Sequence, residues 1–174
     1  MFMRNIAVVV LLLVSVAAAA QESPGLGQQV SVAEIEALDF TVQPDGAGLP
    51  DGAGSAKQGA IVYQTHCLAC HGPEGQDGIN DRLAGGHGSL TTSTPVKTLG
   101  SFWPYATTVF DYVRRAMPYQ TPGVLTNDEL YAVTAYLLFV NDIVEEKAVM
   151  NAQTLPGVRM PNRDNFVWDY PSKD

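Results

Sequence analysis

The sequence predicts an all-α domain, on three observations. Ser55 and Gln58 precede Ala60, Tyr63 and Cys67, which with Ala56 recur at helical spacing. Val109, Val113 and Ala116 share one face until Pro118 intervenes, and Thr126 with Glu129 opens a run through Leu130, Val133, Leu137 and Leu138. A Ser or Thr followed three residues later by Gln or Glu forms a capping box, which satisfies N–H groups that a helix start leaves bare. Apolar residues at three- and four-residue spacing then mark the buried face.

The elements follow in order. The first helix starts after Ser55 and carries Cys67-Leu68-Ala69-Cys70-His71 at its C-terminal end. Residues 72–103 are rich in Gly, Ser and Thr and read as a long loop. A loop of that length in a compact domain is unusual unless it is functional. The second helix is expected at about 105–116, stopped by Pro118. The third opens at Thr126 and runs to about Asn141, with Tyr131, Tyr136, Phe139 and Val140 leaving it few polar sides. It is therefore expected to be well buried, and its roughly sixteen residues are short for a membrane span.

The flanks differ from this core. Arg4, an apolar run from Ile6 to Val16 and the small residues Ala18-Ala19-Ala20 read as a cleavable secretory signal over residues 1–20. Residues 21–54 hold Pro24, Pro44, Pro50 and Gly46, Gly48, Gly52 and Gly54, and read as an extended arm around a short apolar-acidic piece at 32–42. The core domain is expected over 55–141. The tail, 142–174, has prolines but also Phe166, Trp168 and Tyr170, so it is expected to pack on the domain or on a partner.

The net charge of −8 becomes −9 once residues 1–20, with Arg4 and no acid, are removed. That balance argues against nucleic acid and anionic membrane surfaces and suits steering toward a basic protein partner.

Cys67 and Cys70 are the only cysteines. C-x-x-C-H is the attachment signature of a c-type haem: each thiol forms a thioether with a haem vinyl group, and His71 supplies an axial nitrogen. A zinc site needs four ligands, and outside the motif the chain offers only His66 and His87. A redox dithiol belongs beside a βαβ pattern, and none is visible. Export agrees with the haem reading, since this haem is attached outside the cytoplasm, in bacteria on the periplasmic face.

The sixth iron position decides between electron transfer and chemistry at an open site. A Met thioether suits a carrier, because it favours Fe(II) and raises the potential. Met117 is the best placed: it follows the second helix, and Pro118 drives it into extended backbone. Met160, before Pro161, is the rival, and His87 in Gly85-Gly86-His87-Gly88 is a third candidate. Met150 sits in a helical-looking charged stretch and is expected only to pack. Arg114 and Arg115 complement the second helix dipole or pair with a haem propionate; Trp103 and Tyr105 donate to propionates or pack.

Gly59, Tyr63, Cys67, Cys70 and His71, together with Ala135-Tyr136-Leu137, resemble the class I cytochrome c fold, in which the first and last helices cross closely with glycine and aromatics at the contact. The segments 38–46, 99–107 (Leu99-Gly100-Ser101-Phe102-Trp103-Pro104-Tyr105-Ala106-Thr107), 114–118 and 159–164 resemble the haem subunits that partner molybdenum sulfite or sulfane-sulfur dehydrogenases, including that of the Sox system. The resemblance implies a Met-Pro axial ligand before the last helix, hence Met117. It implies a periplasmic monohaem electron carrier, not itself a catalyst, that takes single electrons from a molybdenum dehydrogenase and passes them to a downstream cytochrome or oxidase. The alternatives are a standalone carrier for another dehydrogenase, and a haem enzyme or sensor with an open sixth site.

Overall fold

The computed structural model describes residues 26–167. The expected signal, residues 1–20, and the aromatics Trp168 and Tyr170 lie outside them. The chain divides into two units at Asp39/Phe40, a boundary inside the segment 21–54.

In the first unit, Val32–Leu38 forms helix α1 where an extended arm was expected. The reason is local: Ser31 and Glu34 make a full capping box, with Ser31 N–H donating to Glu34 Oε2 at 2.9 Å.

In the second unit the expected helices form. Helix α2 spans Ala56–His66, its start closed by the Ser55–Gln58 box. One further turn, α3 (Leu68–His71), carries the motif, and Cys67 links the two. Helix α4 is Ala106–Ala116. Helix α5 is Asn127–Phe139, capped by Thr126 and Glu129, and ends two residues earlier than its sequence pattern suggests. Eight of its thirteen residues are buried, as its scarcity of polar faces requires. Tyr131 packs on Phe110 of α4, ring centroids 4.6 Å apart.

The contact between α2 and α5 frames the domain. A methyl on Gly59 would overlap the carbonyl of Ala132, so only glycine allows this approach. One turn on, the Tyr63 and Tyr136 rings meet at 5.0 Å.

The flanks contribute strands that the helical reading omits. Strand β1 (Ala53–Ser55) pairs antiparallel with β2 (Val149–Asn151), Gly54 opposite Met150. Met150 is therefore a buried strand residue, not part of a helix. Before β1, Val42 N–H donates to Asp111 Oδ1 and the Pro50 carbonyl accepts from Tyr131 Oη at 2.7 Å. After β2, Leu155 and Met160 enter the core, and Phe166 meets Phe102 edge-on at 5.5 Å. Among the described residues no helix is long and apolar enough to cross a membrane.

Candidate functional site

The motif folds as a tight turn. Tyr63 carbonyl accepts from Cys67 N–H, and the Cys67 carbonyl accepts from both Cys70 and His71 N–H groups at 3.1 and 3.0 Å. This brings both thiols and the imidazole to one cavity. Tyr63 Oη donates to the Gly72 carbonyl at 2.8 Å and so pins the far end of the turn back onto α2.

His71 Nδ1 stands 2.9 Å from the Asp81 carbonyl oxygen. A carbonyl only accepts, so Nδ1 carries the proton and Nε2 keeps its lone pair for a metal. The cysteines form no disulfide. Burial, reinforced by neighbouring Cys70, pushes the Cys67 thiol up to about 11. A thiol held protonated at neutral pH is a poor redox nucleophile. Among the described residues no group of three His, Cys, Asp or Glu side chains is placed to hold a metal ion.

The cavity holds about 470 Å³, within the ~300–1,000 Å³ of cofactor pockets. Its walls come from four sources. Tyr63 and the motif form one. The loop gives Ile79 to Leu83, Lys97 to Leu99, and Trp103. Helix α4 gives Val109, Tyr112 and Val113, with Met117 to Gln120 beyond it. Helix α5 gives Val133 and Leu137. Trp103 stands edge-on to Tyr112, 5.6 Å away. The long loop thus wraps the cavity, as its length suggested.

Met117 and His71 line this same cavity. Met117 has extended backbone (φ −126°, ψ 146°) before Pro118, the conformation that the following proline favours. Met160 is 1 % exposed within the hydrophobic core and is not part of the cavity lining. His87 lies in a separate, smaller depression with Asn141 and Arg159.

Of the expected propionate partners, only Trp103 reaches the lining. Arg114 donates to the Phe40 carbonyl at 3.3 Å and Arg115 pairs with Asp111 at 2.9 Å. Both guanidinium groups stack over the Phe40 ring, 5.5 and 4.8 Å from its centre. They point outward from α4 and hold the segment before β1. Tyr105 is the residue before α4 and carries Arg163 over its ring. The cations that do line the cavity are Arg82 and Lys97. They were missed because they sit in a loop without periodicity; that they are the only Lys or Arg residues in 72–103 was the available signal. The Asp81 carbonyl was also missed, since a backbone acceptor leaves no mark in a sequence.

Comparisons with known proteins bear on the family and the fold. Residues 54–137 match the family described as cytochrome c oxidase, cbb3-type, subunit III. The crystal structure of the sulfane dehydrogenase SoxCD from Paracoccus pantotrophus contains a chain 42% identical to this one. The likeness covers 87% of this chain and 73% of that chain, with a TM-score of 0.75. It therefore extends beyond the helical core into the flanks. No curated protein matches the chain.

Proposed function

The chain belongs to the c-type cytochromes and has the class I fold, and on that premise we propose that it carries one haem c and relays single electrons from a molybdenum sulfur-compound dehydrogenase to a downstream cytochrome or oxidase. In this reading the protein is exported to the periplasm with loss of residues 1–20. Cys67 and Cys70 would hold the haem covalently, and His71 and Met117 would bind its iron.

One observation carries the reading: His71, with Nδ1 bonded to the Asp81 carbonyl, shares an apolar-walled cavity with Met117 and both cysteines. The donor set fits a haem: two thiols on one turn, an imidazole with Nε2 free, and a soft thioether. When bound, the haem supplies one-electron chemistry between Fe(III) and Fe(II). The protein's residues do the rest. Leu99, Val109, Val113, Val133 and Leu137 exclude water from the cavity. Arg82 and Lys97 supply positive charge suited to the two propionates. No side chain here needs to act as base or nucleophile. The likeness to a chain of the sulfane dehydrogenase SoxCD supports a sulfur-compound dehydrogenase as the electron donor.

The test is the exported holoprotein. The oxidised protein is expected to show the near-infrared band of Met–Fe(III), a molybdenum subunit is expected to co-purify, and sulfite or thiosulfate is expected to reduce the haem in the complex. Ready binding of carbon monoxide to the reduced protein, with the band absent, would overturn the carrier assignment. Absence of a molybdenum partner would overturn the donor.

A further inference from the structure

Asn141 follows the end of α5 and is 1 % exposed. Both polar atoms of its side-chain amide are bonded. Nδ2 donates to the Leu137 carbonyl at 2.8 Å and to the Leu83 carbonyl at 3.2 Å, and Oδ1 accepts from Gly85 N–H at 3.1 Å. Gly100 lies against the same amide, so closely that a methyl there would overlap it. One side chain thus ties two stretches of the long loop to the helix end.

The tied stretch leads to the imidazole. Asp81, whose carbonyl accepts from His71, is two residues before Leu83, and both Asp81 and Arg82 are exposed. They have no core packing of their own, and backbone anchors on both sides fix the direction of that carbonyl. Before it, Asn80 N–H donates to the Cys70 carbonyl at 3.0 Å. After it, Leu83 N–H donates to Gly75 at 2.8 Å and the Leu83 carbonyl accepts from Leu99 N–H as well as from Asn141. Asn141 is the side chain joining this anchor to α5.

The geometry points to Asn141 as a positioning residue for His71, acting through Leu83 and the Asp81 carbonyl to fix the orientation and basicity of the imidazole. This rests on the reading of His71 as an iron ligand. A carbonyl held on Nδ1–H makes Nε2 more basic and fixes the ring's rotation. Greater basicity favours Fe(III) and lowers the reduction potential. Loosening Asn141 therefore raises the potential.

The experiment uses the haem-loaded protein in its reduced form, with NMR hydrogen exchange at His71 Nδ1–H and Gly85 N–H and a redox titration. In the wild type the two hydrogens are expected to be protected with matching opening free energies, each rate being divided by the intrinsic exchange rate of its own group, because they open together. Asn141→Ala is expected to speed both on the order of tenfold, the effect of about one net hydrogen bond, and to raise the potential. Asn162→Ala is the control: it removes another buried amide, which donates to the Phe102 carbonyl at 2.8 Å. It is expected to lower stability while leaving the Nδ1–H exchange and the potential unchanged. The inference is overturned if Asn141→Ala behaves like Asn162→Ala. Should Asn141→Ala fail to load haem, the wild type decides, since unrelated opening free energies at the two hydrogens also overturn it. A His71 ring lacking the resonance shifts of an iron ligand would fail the underlying reading and the inference with it.

Discussion

Gly59 of α2 presses its bare Cα against the backbone carbonyl of Ala132 in α5. Two helices approach this closely only where one of them lacks a side chain. The cavity depends on this contact, because α2 leads directly into the motif while Val133 and Leu137 of α5 form the opposite lining. Gly59→Ala is expected to cost about 1–3 kcal/mol or more by overpacking, and to lower the fraction of protein recovered with haem. Denaturant melts of the loaded protein measure the first, and the haem-to-protein absorbance ratio the second.

The two methionines separate by place. Met117→Ala is expected to abolish the Met–Fe(III) band in the near infrared and lower the reduction potential. Met160→Ala removes a core side chain at 1 % exposure, which typically costs about 2–5 kcal/mol, and is expected to leave the band intact. The opposite pattern of spectra would move the ligand assignment to Met160.

Charge at the cavity is expected to matter only where the cavity is. Arg82→Gln or Lys97→Gln removes a cation from the lining; less positive charge favours Fe(III), so each is expected to lower the potential in redox titration. The Arg82 pair with Asp77, at 3.6 Å and largely exposed, contributes little to stability. Arg114→Ala and Arg115→Ala are expected to leave the potential unchanged and to loosen the segment around Phe40, which limited proteolysis reads out.

Stability on the alkaline side is expected to carry the signature of two tyrosines. Burial is the first cause that raises both Tyr63 and Tyr131 from 10.0 to about 12. A group that holds its proton more tightly when folded favours the folded state below its unfolded value. That contribution is lost as pH climbs from 10 through 12. Unfolding free energy is therefore expected to fall across this window. Tyr63→Phe is expected to shrink the fall and to cost about 1 kcal/mol at neutral pH through its lost bond to Gly72.

Much of the scaffold was legible because it is written in local chemistry. The capping boxes at Ser55 and Thr126 fixed helix starts, and Pro118 fixed the end of α4, since these signals act within four residues. The Ser31–Glu34 box obeys the same rule; the surrounding prolines and glycines drew the reading toward an extended arm instead. Met150 misled for another reason. Its neighbours Glu145, Glu146 and Lys147 look helical, whereas its strand is imposed from nearly a hundred residues away by Gly54. The site divides likewise. The positions of Cys67, Cys70 and His71 follow from spacing, but the directions of Arg114 and Arg115 depend on Phe40, distant in sequence. The period of α4 places those arginines on the face opposite Val109 and Val113; that Phe40 lies against them is tertiary packing, which no pattern within the helix reports.

The pairing of β1 with β2 has a mechanical consequence. Ala53 lies opposite Asn151, and Ser55 opposite Val149, so the chain enters and leaves this ladder at the same end. Tension on the two flanks opens it rung by rung, like a zipper, where a ladder loaded from opposite ends would resist in shear. Everything that lines the cavity lies between these strands in the chain, but the flanks are also fastened to the same elements directly, Pro50 to Tyr131, Val42 to Asp111 and Asn162 to Phe102. The clasp is thus the element of the flanks that yields most easily, and the side-chain ties to α4, α5 and the loop carry the load beside it.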